Sequence, residues 1–99
     1  VTRAPLAATP RRAALLDRDG VLNLDTGYPH RPEELVMIEG AAAAVRRLNQ
    51  AGRLVIVITN QSGVGLGYYE EAAVERFHQA MNDILAADGA RLDGLYFCP

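Results

Sequence analysis

The chain has 99 residues, 49% hydrophobic and 22% charged, with a formal net charge of -2, which suits one small globular domain and excludes a disordered segment. No apolar run approaches the roughly 18 residues of a membrane span, so no membrane partner is expected, and a single cysteine, Cys98, excludes an internal disulfide framework. All ten basic residues are Arg, and the slightly acidic balance without a basic block or aromatic ladder argues against a nucleic-acid partner.

Residues 1–12 read as a tail, interrupted by Pro5 and Pro10, with no apolar core of the kind a secretory signal needs. A cytoplasmic location is therefore expected. Ala13–Leu16 is a short apolar run ending at Asp17, consistent with a buried strand. Gly20 to Pro32, rich in Gly, Pro, Asp and Asn, reads as a loop or flap. From Gly40 the pattern turns helical: Ala41, Ala44, Val45 and Leu48 follow the i, i+3, i+4, i+7 spacing, and Gly52 sits where a helix C-terminus favours a left-handed residue. Leu54–Ile58 is a continuous β-branched-rich run, the pattern of a central parallel strand covered on both faces.

Asn60–Gly67, with three glycines, reads as a loop. A second amphipathic helix follows, with Ala73, Phe77, Ala80, Met81, Ile84 and Leu85 in one stripe and Gly89 as its terminator. His78 falls between that stripe and the polar side and reads as structural. Leu92–Phe97 reads as a third strand. The alternation of strand and helix predicts an α/β fold, a Rossmann-like parallel sheet with flanking helices, incomplete at about three strands and two helices.

Ligands of such sheets bind beyond the carboxyl ends of the strands, so the loops after Leu16 and Ile58 carry the chemistry. The first reads Asp17-Arg18-Asp19-Gly20-Val21-Leu22-Asn23. Two carboxylates two residues apart on extended chain can point to one side, where they suit a hard cation such as Mg²⁺. One can act as nucleophile while the other serves as acid and base. Arg18, between them, points to the opposite side. Taken alone, an Asp-x-Asp-Gly is equally a solvated turn. The second loop, Thr59-Asn60-Gln61-Ser62-Gly63-Val64-Gly65-Leu66-Gly67, offers hydroxyls, amides and backbone N–H groups, an inventory suited to phosphate oxygens. It is not a dinucleotide fingerprint, because its glycines are spaced G-x-G-x-G.

Asp-Arg-Asp-Gly-Val-Leu-Asn followed by Thr-Asn-Gln-Ser-Gly resembles the haloacid dehalogenase-like hydrolase superfamily, in the branch of heptose-bisphosphate and histidinol-phosphate phosphatases. The likeness runs from Ala13 to Pro99, through Asp25-Thr26-Gly27-Tyr28 and the closing Tyr96-Phe97-Cys98-Pro99. The resemblance implies that residues 13–99 are the amino-terminal part of a phosphatase domain. It implies Asp17 as nucleophile, forming an aspartyl-phosphate, and Asp19 as the acid and base. Mg²⁺ would rest against the Asp17 carboxylate and the Asp19 carbonyl. Thr59 and Asn60 would hold the transferring phosphoryl group, with the Arg18 backbone amide helping. Asp25, Thr26, Gly27 and Tyr28 would form a flap over a small phosphorylated sugar, and Asn60, Gln61 and Ser62 would complete the pocket.

The chain departs from the family pattern at Leu66, where the family carries an Arg. The family's phosphate-binding Lys has no counterpart, since the chain contains no Lys. Cys98-Pro99 resembles the opening of a zinc-binding loop, so Zn²⁺ is implied only together with ligands beyond the chain, because one thiolate cannot make a four-ligand site. His30 reads as a flap surface residue. The implied activity is a Mg²⁺-dependent phosphatase acting on the 7-phosphate of heptose 1,7-bisphosphate. Histidinol phosphate or another small phosphomonoester is the alternative substrate, and a non-catalytic module that keeps the fold is the alternative of a different class.

Overall fold

A computed structural model describes residues 12–99. The expected tail therefore lies, apart from Arg12, outside the described residues. Three parallel strands form one sheet in the order β1 (Ala13–Leu16), β2 (Leu54–Asn60), β3 (Gly94–Cys98). Between them run α1 (Ala41–Gln50), a four-residue helix α2 (Ser62–Gly65) and the long α3 (Glu71–Ala87). Among the described residues, no helix is long and apolar enough to cross a membrane.

Both long helices pack on the same face of the sheet. Val45 of α1 and Phe77, Met81 and Leu85 of α3 join Val55 and Val57 of β2 in one core with Leu22, Ala41 and Ala90. The reason is topological: each strand is added on the same side of the previous one, and crossovers of one hand deliver their helices to one side. The expectation that β2 is covered on both faces is thus corrected. Val55 and Val57 are wholly buried, whereas Ile58 is 54% exposed. Leu15 and Tyr96, exposed at 66% and 62%, share that open face, as the pairings Leu15↔Ile56 and Ile58↔Tyr96 require.

Local chemistry accounts for where the elements stop. Helix α1 ends at Gln50, and the turn through Gly52 lets the Arg53 N–H reach the Leu48 carbonyl at 3.0 Å. Likewise Gly89 ends α3, with the Ala90 N–H donating to Leu85 at 2.9 Å. Strand β3 starts at Gly94, two residues later than its apolar pattern suggests. Asp93 exchanges bonds with Val55 there: its N–H donates to the Val55 carbonyl at 2.8 Å, and its Oδ2 accepts from the Val55 N–H at 2.7 Å. The helical stripes shift slightly as well. Ala44 and Ile84 are exposed, while Val74 and His78 are buried.

The Gly20–Pro32 stretch is a loop that folds back on the chain. Ile38 donates to the Leu22 carbonyl and Leu24 to that of Val36, both at 2.8 Å. Leu22, only 2% exposed, anchors the loop in the core. Gly20, at φ +84°, provides the left-handed turn immediately after Asp19 that a side chain would resist.

Candidate active site

All three strands are parallel, so their carboxyl ends share one edge of the sheet, and both chemistry-bearing loops start there. Asp17 is the first residue past β1 and is exposed, with its Oδ1 accepting from the Arg18 N–H at 2.7 Å. Alternation then turns Arg18 inward, where its side chain is fully buried. Its Nε and Nη2 both reach Asp19 Oδ1, at 2.8 and 2.7 Å. Nη2 also donates to the Pro29 carbonyl at 3.2 Å, Nη1 meets His78 Nε2 at 3.1 Å, and the guanidinium carbon lies 4.4 Å from the Phe77 ring centre. The side chain therefore faces away from the pocket, and the Arg18 backbone N–H is engaged by Asp17.

Strand β2 runs two residues further than Leu54–Ile58 and carries Thr59 and Asn60 to the same edge. The segment expected to be a loop then forms helix α2, because the Val64, Leu66 and Gly67 N–H groups bond back to Gln61, Ser62 and Val64. Helix-poor glycines are tolerated in so short a turn, and Gly63 is required there. A Cβ on Gly63 would stand 2.7 Å from both Cζ and the hydroxyl of Tyr69, whose ring lies across it.

That ring organises the second loop. The Tyr69 hydroxyl donates to Gln61 Oε1 at 2.7 Å, which turns Gln61 Nε2 toward Thr59 Oγ1 at 2.9 Å and Asp19 Oδ2 at 3.4 Å. Burial holds the Tyr69 phenol above its ordinary pKa, so it remains a donor. Thr59 and Gln61 are each 2% exposed. Asn23 Nδ2 donates to Asp19 Oδ1 at 3.0 Å and to the Leu24 carbonyl at 3.1 Å, while its buried Oδ1 has no partner among the described residues.

Asp19, Asp25, Gly27, Tyr28, Asn60, Gln61, Ser62 and Tyr69 line one cavity of about 310 Å³. Seven of these eight were expected from the sequence; Tyr69 was not. Asp17, Arg18, Thr26 and Thr59 do not line it, Thr59 lying beneath Gln61. The flap is held by a turn in which Asp25 Oδ1 accepts from the Gly27 N–H at 3.1 Å. Tyr28 takes a left-handed φ of +49°, and its ring meets Tyr68 edge-on at 4.9 Å. His30 stacks on Tyr69 at 4.3 Å. A second cavity of about 420 Å³ shares Tyr69 as a wall but contains none of the expected catalytic residues.

Among the described residues, no three His, Cys, Asp or Glu side chains cluster as a metal site. Cys98 is an exposed free thiol, so these residues assemble no zinc centre. Magnesium makes a smaller demand, since it keeps several waters and needs only one or two carboxylates. Asp17, exposed at the end of β1, is a carboxylate of the kind such a cation takes.

No family model matches the chain. It is 52% identical over 91 residues to a D-glycero-D-manno-heptose-1,7-bisphosphate 7-phosphatase of Thermosynechococcus vestitus, covering 91% of the chain and 46% of that protein. A corresponding enzyme of Rhodopseudomonas palustris is 50% identical over 94 residues, covering 94% and 52%. The crystal structure of D,D-heptose 1,7-bisphosphate phosphatase from B. bronchiseptica, complexed with magnesium and phosphate, superposes with a TM-score of 0.84. That match is 36% identical and covers 89% of the chain and 50% of the structure. The chain is likewise similar to a putative HAD-like phosphatase from Mesorhizobium loti, with a TM-score of 0.84 at 35% identity, covering 97% of the chain and 46% of that structure. The enzyme from Burkholderia thailandensis gives a TM-score of 0.70 at 40% identity, covering 90% and 54%. The chain spans about half the length of the curated relatives it matches, and its three-stranded parallel sheet is the corresponding part of their fold.

Proposed function

We propose that the chain carries the phosphoryl-transfer site of a Mg²⁺-dependent phosphomonoesterase that removes the 7-phosphate of D-glycero-D-manno-heptose 1,7-bisphosphate. The observation that carries this reading is the meeting of Asp19 with Gln61, and of Gln61 with Thr59, at one edge of the sheet. The Asp19 carboxylate thus adjoins a cradle of amides and hydroxyls, and Asp17 is exposed at the end of β1, the strand paired with β2.

Asp17 acts as nucleophile. Its free carboxylate oxygen forms a bond to phosphorus as the phosphorus–sugar oxygen bond breaks, and Asp19 gives its proton to the departing sugar oxygen. In the second half, Asp19 takes a proton from water as that water attacks the phosphorus of the aspartyl-phosphate. The bond to Asp17 breaks, inorganic phosphate leaves, and Asp19 is protonated again. Asn60, Gln61 and Ser62 orient the phosphoryl oxygens, with the Thr59 hydroxyl behind them. When bound at Asp17 and the Asp19 carbonyl, Mg²⁺ lowers the repulsion between the nucleophile and an anionic substrate. The flap from Asp25 to Tyr28 contacts the sugar and limits water.

Choice of the heptose bisphosphate follows the activity for which the relatives are named. On the same reading the partner is a small phosphorylated sugar and the location is cytoplasmic. The test is Mg²⁺-dependent phosphate release from heptose 1,7-bisphosphate, with Asp17→Asn and a chelator as controls. Release abolished by both is expected, since an amide cannot form the acyl phosphate. Undiminished release from Asp17→Asn overturns the nucleophile assignment.

A further inference from the structure

His78 lies on α3, sixty residues from Arg18, and does not line the cavity. It is nevertheless 6% exposed and touches the one buried guanidinium among the described residues. A guanidinium has only donors, so the 3.1 Å contact requires His78 Nε2 to accept, which makes the ring neutral with its proton on Nδ1. The Phe97 ring meets the imidazole edge-on at 6.0 Å, and Phe77 lies against the guanidinium, so both groups are held in place by packing.

The effect reaches Asp19. Its Oδ1 receives Arg18 from one side and Asn23 Nδ2 from another, whereas among the described residues Oδ2 has only the 3.4 Å contact with Gln61. Fixing Oδ1 by several donors stops the carboxylate from rotating and leaves Oδ2 as the oxygen able to carry a proton.

We propose that His78 is a positioning residue: by accepting from Arg18 Nη1 it locks the guanidinium that pins Asp19 Oδ1, so that Oδ2 is presented for proton transfer. The proposal rests on the phosphatase reading for the role of Asp19, while the contact itself is independent of it. Replacing His78 by Phe removes the acceptor and leaves a buried N–H unpaired. Replacement by Gln restores a carbonyl that can accept.

Two substrates separate positioning from general damage. An alkyl phosphate has a poor leaving group and needs the Asp19 proton, whereas 4-nitrophenyl phosphate has a good one and needs it less. For His78→Phe, kcat on the alkyl ester is expected to fall about tenfold and on the aryl ester by about threefold or less, with KM nearly unchanged. His78→Gln should recover most of the loss. Equal losses on both esters, or no recovery with Gln, overturns the proposal while leaving the phosphatase reading intact. A wild-type chain inactive on both esters overturns the two together. Nitrogen NMR of the wild-type imidazole supplies a readout that needs no turnover: the proton on Nδ1 is expected, and a proton on Nε2 overturns the Arg18 contact.

Discussion

Gly63→Ala should be costly despite adding a good helix former to a helix. The new Cβ would stand 2.7 Å from Tyr69 Cζ and from its hydroxyl, so the ring must move. Movement breaks the 2.7 Å bond to Gln61 Oε1 and leaves a buried acceptor unpaired. An unpaired group costs about 1–3 kcal/mol and overpacking about as much again, against roughly 1 kcal/mol gained from replacing glycine in a helix. A net loss of about 3 kcal/mol corresponds to a Tm fall of about 12–24 °C in a domain of this size. Thermal unfolding followed by circular dichroism measures it, and a double-mutant cycle with Tyr69→Ala tests the cause. With the ring gone, Gly63→Ala should be neutral or stabilising. An equal loss in both backgrounds refutes the steric argument.

Other outcomes follow from the same contacts. His78 is held down to about 4 by burial first and by Arg18 second, against an ordinary 6.5. The unfolded chain therefore takes up a proton that the folded one refuses. Stability should be full above pH 6.5 and fall as pH drops toward 4, by about 3 kcal/mol at most. Urea titrations across that range check this, and His78→Gln should flatten the dependence; an unchanged slope counts against a buried neutral histidine. Thr59→Val keeps the shape but removes the acceptor for Gln61 Nε2, so phosphate release should fall about tenfold with a loss of stability near 1 kcal/mol. A normal rate dismisses that contact.

The chain order of strands and long helices was legible because hydrophobic period and length are local properties. Leu54–Ile58 announced a strand, and the α3 stripe announced a helix ending near Gly89. What the run of apolar residues in β2 concealed was its one-sided burial, since Val55 and Ile58 look alike in sequence while topology puts only one of them under the helices. Helix α2 was hidden by glycines whose purpose is visible only once Tyr69 lies over Gly63. The cavity was largely readable, because seven of its lining residues sit in three short motifs. Tyr69 was not, for an aromatic after a glycine-rich stretch carries no periodic signal. The inward turn of Arg18 followed from strand alternation, but its partner His78 is a matter of packing between distant segments.

The side of the sheet bearing Leu15, Ile58 and Tyr96 also shapes how the chain behaves in bulk solution. Three large apolar side chains, each more than half exposed, lie on one face of a stiff surface. Such a surface takes up hydrophobic dyes while the protein is still native, so dye fluorescence would begin high and change little on heating. Light scattering should rise with protein concentration and with sulfate, which strengthens apolar association, and fall in dilute urea before any secondary structure is lost.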